Sequence, residues 1–356
     1  TFNNGANPSR NANPNLKWET TTQTDGGADL GLFNNQVSIT ADAYKKTTRD
    51  LLYAKLVPYY TGYASYITNV GSVENSGMEF SVDTRHTLRT FDVHLGGNIA
   101  FNRSKVLDLG GDKEFFVNGV NTSLPTFIPG GIVRKGEPLG NFFGYIWDGI
   151  FQTAAEATAS GQSGAVAGGM KLHDVNGDGK ITTDDRVILG NGQPKYTFGQ
   201  NGSVGYRAFS LTYLLRGVQG NKVVNLNRQG METPGDATNS LRSTLNYWTP
   251  GSGIQNMTGI GIAPFNAMTS RWVEDGSFVR LQNVTLSWQV PQRLIARANM
   301  TNMRLYVSGQ NLKTWTKYTW FDPEASSRGT SDLQIGWDDS SYPGVRTFTF
   351  GLNLGY

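Results

Sequence analysis

Cysteine is absent from the 356 residues. That absence removes disulfides, thiolate nucleophiles and cysteine-held zinc together, and leaves the redox compartment open. Histidine is scarce: His86, His94 and His173 are scattered and share no metal-ligand spacing. No run of about 18 apolar residues occurs, so a transmembrane helix is excluded. A barrel is not, because its strands are short and only half apolar. Charged residues make up 17% and the formal charge is +3, with no run of Lys or Arg that would mark nucleic acid or lipid headgroups as targets. The opening residues, TFNNGANPSRNANPNLKWE, lack a basic stretch followed by an apolar one, so no signal peptide is expected in them. Nucleophile elbows, HExxH and phosphate-binding loops are missing as well, and no carboxylate pair stands out. The chain is not expected to be an enzyme.

Glycine (44 residues) and aromatics (12%) are plentiful, and much of the polarity is Asn, Thr, Ser and Gln. Strand formers and turn formers therefore dominate. Apolar residues recur at every second position in segment after segment. In TFDVHLGGNIAFNR, Phe91, Val93, Leu95, Gly97, Ile99 and Phe101 share one face, while Asp92, His94, Gly96, Asn98, Ala100 and Asn102 share the other. Val37, Ile39, Ala41 and Ala43 oppose Ser38, Thr40, Asp42 and Tyr44 in the same way. The chain ends on RTFTFGLNLGY, where Phe348, Phe350, Leu352, Leu354 and Tyr356 alternate with small or polar residues. Such patterning over about ten residues is the strand signal, at the length a tilted strand needs to cross a bilayer.

Nine such segments are expected, near 24–34, 36–50, 76–88, 90–105, 196–207, 208–219, 276–290, 303–315 and 346–356. Two slip phase, near Gln282–Asn283 and Gly309–Leu312, which predicts β-bulges. Connections alternate between short turns and long segments, the habit of a transmembrane barrel with its long loops on one side. Nine strands leave two bare edges, so the set is expected to be part of a larger barrel.

The segments NPNLKWETTTQ, NVGSVENSGMEFSVD, DVNGDGKITTDDRVILGNGQPKYTFG, WVEDGSFVRLQNVTLSW, YVSGQNLKTWTKYTWFDPE and YPGVRTFTFGLNLGY, with FNNQVSITADAYKKTTRDLLY, resemble the C-terminal part of SusC/RagA-type TonB-dependent outer-membrane transporters. They follow family order along nearly the whole chain. The resemblance implies an all-β, antiparallel transmembrane β-barrel, residues 1–356 being the C-terminal part of a barrel of about 22 strands. It implies the outer membrane of a Gram-negative bacterium, contact with its lipid, and import of oligosaccharides or peptides. It also implies a SusD-like surface lipoprotein as lid, and energy from TonB through an N-terminal plug region not recognisable here. A passive porin-like or structural outer-membrane protein, and a soluble calcium-binding, carbohydrate-binding β-protein, remain as alternatives. Glu79, Asp83, Arg85, Asp92 and Asn98 are expected to face the lumen. Phe348, Phe350, Leu352, Leu354 and Tyr356 look like the terminal signal that outer-membrane assembly machinery reads, with Tyr356 in an interfacial aromatic girdle.

Within the long 106–195 loop, DVNGDGKITTDD at 174–185 has the ligand spacing of an EF-hand. Asp174, Asn176 and Asp178 occupy positions one, three and five, the Lys180 carbonyl seven, Thr182 nine and Asp185 twelve. Asp at the last position resembles dockerin loops, and a structural calcium ion is expected. Aromatic-rich loop segments supply a further set, Tyr59, Tyr60, Tyr63, Tyr66, Phe143 and Trp147, expected to stack on ligand or touch the lid. The competing reading is that they pack the loops.

Overall fold

A computed structural model describes residues 10–11, 13–56, 63, 65–69, 71–117, 130–235, 239–262, 267–327 and 331–356. Nine strands form one sheet: β1 (Thr20–Leu32), β2 (Val37–Arg49), β3 (Ser72–Leu88), β4 (Phe91–Asp108), β5 (Tyr196–Tyr206), β6 (Phe209–Gln219), β7 (Phe278–Gln289), β8 (Asn302–Thr316) and β9 (Thr347–Gly355). Each pairs with the next in chain order, and all pairings are antiparallel. All nine expected strands form. Among the described residues no helix is long and apolar enough to cross a membrane.

Register turns the period-two pattern into two unlike surfaces. One transverse row runs Leu88, Phe91, Tyr206, Phe209, Trp288, Leu305, Leu352, and the next parallel row carries Val93, Val204, Leu211, Leu286, Val307 and Phe350. Between them, facing the other way, runs Thr87, Asp92, Gly205, Ser210, Ser287, Tyr306, Gly351. The apolar face is open: Phe350 is 81% and Phe348 61% exposed. Side chains this greasy stay exposed only where the solvent is lipid.

The belts fix the height of that face. At the short-turn end, Phe91 stacks on Tyr206 at 4.6 Å and Phe209 on Trp288 at 6.1 Å. Toward the other end Phe101, Tyr196 and Phe198 form a second cluster, at 5.7 and 6.4 Å. Ten residues separate Phe91 from Phe101. At about 3.3 Å per residue and a tilt of about 40° that is about 25 Å, the hydrocarbon band of an outer-membrane barrel.

The short connections are tight. Arg89 and Arg207 each take a positive φ, 54° and 53°, as first residues of two-residue turns. The long connections follow β2, β4, β6 and β8 and build a second layer. In it lie a four-stranded sheet (Val187–Asn191, Asn141–Gly144, Gly131–Arg134, Glu114–Val117) and a three-stranded one (Val273–Asp275, Lys222–Asn225, Trp337–Asp338). Hydrophobic burial is concentrated there: Phe142, Val224, Leu226, Met268, Trp272 and Trp337 form one core. The strands β3 and β4 exceed their expected bounds because their long-loop ends enter this layer. Val73 and Val106, paired there, are buried in a second core with Leu109, Val117 and Val133.

Leu95 sits between the belts on the lipid face and is 41% exposed. Leu95→Arg should destabilise the full-length barrel in vesicles by about 2–4 kcal/mol in urea unfolding, whereas His94→Arg, one residue away on the wet face, should shift it by less than about 1 kcal/mol.

Candidate functional site

The wet face is a continuous polar track. Glu79, Asp83, Arg85, Asp92 and Asn98 lie on it, as their alternation predicts. Arg85 pairs with Asp92 at 3.0 Å, and His94 Nε2 lies 2.6 Å from Asp83 Oδ2. Further round, Ser210 and Ser287 meet at 2.9 Å, and Ser308 links Asn283 and Thr285 at 3.1 and 2.8 Å. At the long-loop end charge thickens. Arg280, 7% exposed, donates to Asp322 at 2.6 Å and Glu324 at 3.1 Å, and Arg216 also pairs with Glu324.

Above the wall, ion pairs brace the long loop between β6 and β7 on itself. Arg228 donates twice to Glu232, both at 3.0 Å, and once to Glu274 at 2.7 Å, while Arg271 reaches Glu232 at 2.9 Å. Burial lowers the Arg271 guanidinium from its ordinary value, against the pull of Glu232. At Arg228 burial acts the same way but is outweighed by Glu232 and Glu274, and its pKa rises. Tyr318 donates to the fully buried Asp338 at 2.6 Å, and burial together with that carboxylate pushes the phenol far above its usual range. Removing one member would strand a buried charge. The Thr319 N–H and hydroxyl both donate to Glu274 at 2.8 Å, which ties the last loop to this network.

The 174–185 turn is shaped by its own side chains. Asp174 accepts from the N–H groups of Gly177 and Gly179, both at 2.7 Å, Asn176 from Asp178 at 2.9 Å, and Asp178 from Lys180 at 2.8 Å. Thr182 caps the short 3₁₀ turn Thr183–Asp185. Asp185 is fully buried, and its carboxylate accepts from Val175, Asn176 and Thr182 at 2.9, 3.4 and 2.7 Å. The oxygen-only donors of Asp174, Asn176, Asp178 and the Lys180 carbonyl suit a hard cation. Asp185, the expected twelfth ligand, also serves as the clasp closing the turn through these backbone donors. Among the described residues no three His, Asp or Glu side chains gather as a metal cluster.

The aromatic set divides. Phe143 is buried, with the Arg186 guanidinium 4.5 Å from its ring centre and Phe116 stacked at 5.8 Å. It is loop core, a correction to its expected exposure, because its strand is the second of a four-stranded sheet. Trp147 is half-buried: its indole N–H donates to the Gly149 carbonyl at 2.7 Å and Arg271 covers its ring at 4.8 Å. Tyr63 is half-buried and Tyr66 lies on the short strand Ser65–Asn69, while Tyr59 and Tyr60 fall outside the described residues. The terminal series keeps its lipid-facing character: Phe348, Phe350, Leu352, Leu354 and Tyr356 are all exposed.

Residues 1–312 match the model of the TonB dependent receptor-like β-barrel family. The chain belongs to that family. A TonB-dependent receptor of Formosa agariphila is 36% identical over 357 residues, covering 96% of this chain and 35% of that protein. The TonB-dependent receptor SusC of Bacteroides thetaiotaomicron is 27% identical, over 96% of this chain and 32% of its own. The solved RagAB peptide transporter superposes with a TM-score of 0.81 at 24% identity, over 97% of this chain and 36% of that one, a likeness of fold. The chain thus spans about a third of the length of the curated relatives it matches.

For a TonB-dependent receptor-like barrel, then, sequence periodicity located the polar path but missed the residues that tie loops to wall. Arg280, Asp322 and Glu324 carry no local pattern, since the two carboxylates lie 42 and 44 residues from the guanidinium. WFDPE was visible as a motif, but not the guanidinium it grips.

Burial would raise the Asp185 carboxyl, but the N–H groups of Thr182, Val175 and Asn176 outweigh it and hold the pKa below the ordinary aspartate value. A carboxyl with a depressed folded pKa stabilises above its unfolded value and loses that contribution as pH falls through the folded one. Amide exchange at Val175, Asn176 and Thr182, measured relative to its intrinsic rate at each pH, should therefore quicken as pH drops below about 4, on the unfolded-state carboxylate scale. In Asp185→Asn it should already be fast at neutral pH and lack that acid step.

Proposed function

We propose that this chain forms the C-terminal wall and outer loop layer of an active outer-membrane importer. The observation that carries the reading is the pair of faces on one sheet, an open apolar face about 25 Å tall backed by a hydrated polar track. β1 and β9 are the edges of that sheet among the described residues. Unpaired edges in hydrocarbon cost several kcal/mol per group, so the remaining strands of a larger barrel must close them. The kinship with SusC supports transport energised through TonB by segments outside this chain, and a SusD-like lipoprotein as lid. Oligosaccharides or peptides are the substrate class; the solved relative is a peptide transporter, and SusC is the other named kin. Loop aromatics that stay partly exposed, Trp147 and Tyr63, are the proposed contacts with ligand or lid.

The terminal strand is read as the assembly signal. In the native host, the full-length protein should fractionate with the outer membrane and run heat-modifiably on gels. Removing Tyr356 together with Phe350→Ser should cut the assembled amount several-fold while leaving synthesis intact. Energised uptake of a labelled oligosaccharide or peptide pool should vanish without TonB; uptake by passive flow alone would sink the importer reading.

A structural calcium ion at the 174–185 turn is part of the same proposal, held by Asp174, Asn176, Asp178 and the Lys180 carbonyl, with Asp185 closing the turn. Its chemistry would be to neutralise carboxylates that crowd one tight loop. Millimolar calcium should raise the melting temperature of the loop layer relative to chelator, and Asp174→Ala should abolish the difference. An equal response in the variant would remove the ion from this turn.

A further inference from the structure

Two irregularities in the barrel wall, on β7 and β8, are neighbours. On β7, Gln282 has no partner across β6, where Leu214 pairs with Asn283 and Leu215 with Leu281. On β8, Asn311 and Leu312 stand opposite it between Gln310 and Lys313, and Asn311 takes a φ of 51°. A bulge re-aims side chains. Here Gln282 joins Asn283 on the wet face, where regular alternation would send one of the two to lipid.

The re-aimed amides receive the last long loop. Gln282 Nε2 donates to Asn311 Oδ1 at 2.8 Å, and Asn311 Nδ2 donates to the Val345 carbonyl at 3.0 Å. Asp322 and Glu324 of the same loop are held by Arg280 and Arg216, and Asp322 also accepts from the Gly344 N–H at 3.3 Å. Between loop and wall remains a cleft of about 630 Å³. Its lining is polar, with Gln282, Asn311, Ser326, Ser340 and Tyr342 beside the ion pairs. Two polar atoms in it are buried and take no hydrogen bond from any described residue: Gln282 Oε1 and Ser326 Oγ. A buried polar group left without a partner is costly, and two in one cleft mark a place shaped for something that supplies the bonds.

We propose that this cleft is a ligand subsite on the lumen wall, taking a neutral, hydroxyl-rich segment such as a few sugars of an oligosaccharide. The proposal rests on the import reading and narrows its substrate class. Gln282 Oε1 can only accept, so the ligand must bring a donor, which a phosphate, sulfate or carboxylate lacks. Asp322, Glu324 and Asp339 outnumber the two guanidiniums in the lining, so an anion is repelled as well. Sugar hydroxyls donate and accept at once, matching the amide oxygen and the serine hydroxyl, and the Tyr342 ring, 88% exposed at the rim, offers a face for stacking. A peptide would ask for apolar side-chain pockets or a free strand edge, and this lining offers neither.

The test uses the full-length transporter in detergent on an array of neutral, sulfated and uronate oligosaccharides with a decapeptide library. Wild type should be retained by neutral glycans. Gln282→Met and Ser326→Ala should each weaken that retention about five- to tenfold, and Ser326→Ala, which removes only an unpaired group, should do so without lowering the melting temperature. Retention on sulfated or uronate glycans or peptides alone, no retention on neutral glycans, or equal retention by wild type and both variants would overturn the subsite. Heat-modifiable migration and TonB-dependent uptake read the importer itself, so a transporter that keeps both while failing on the array condemns this cleft alone.

Discussion

Every backbone N–H and C=O that enters hydrocarbon must find its partner within the protein, and the architecture follows from that requirement. A meander of nine strands, each hydrogen-bonded to its sequence neighbour, satisfies the groups of the seven inner strands with connections as short as two residues. Once the ladder is fixed, side-chain alternation has no freedom left. A slip of one residue would carry Phe348, Phe350 and Leu352 into the water-filled side and Thr349 and Asn353 into lipid. The register is therefore defended along the whole sheet by solvent, not by any single contact.

Hydrophobic packing consequently sits in an unusual place. The sheet has a dry face turned outward and a wet face turned inward, and neither makes a core. Burial is collected in the long connections, where Phe142, Val224, Trp272 and Trp337 close over one another and the Arg228–Glu232–Arg271 network locks their rims. Two materials result: a wall held by lipid and its ladder, and a loop layer held like a small soluble domain. Such a layer can hold its polar groups in fixed places independently of the wall beneath.

What could be read from residues alone reflects this division. The wall was legible because lipid and water impose a strict period of two, and nine segments with their bulges stood out at Gln282 and near Asn311. The loop layer was not, since its strands are short apolar runs such as Asn141–Gly144 and Lys222–Asn225, whose burial depends on partners far away in sequence. Phe143 illustrates the loss. Its composition suggests a surface aromatic, and only the neighbouring strands decide that it is core. Asp185 illustrates another kind: spacing gives the turn but not whether a carboxylate faces an ion or the backbone. The clasp it forms explains why the turn is ordered by its own hydrogen bonds.

The bulges show how the two materials are joined. A regular strand presents each side chain to one solvent or the other and has no means of offering two consecutive polar groups to the lumen. Inserting Gln282 on β7 against Asn311 and Leu312 on β8 breaks the period of this strand pair at one place only. Leu312 repairs the dry side by covering Gly309, whose missing Cβ leaves room for it. The gain is a fixed pair of amides that anchors the last loop at Val345 while Arg280 and Arg216 anchor it at Asp322 and Glu324. A loop pinned at both ends over a notch in the wall encloses a cleft without needing a lid of its own, and the unpaired Gln282 oxygen inside it is the residue of that construction left for a ligand to satisfy.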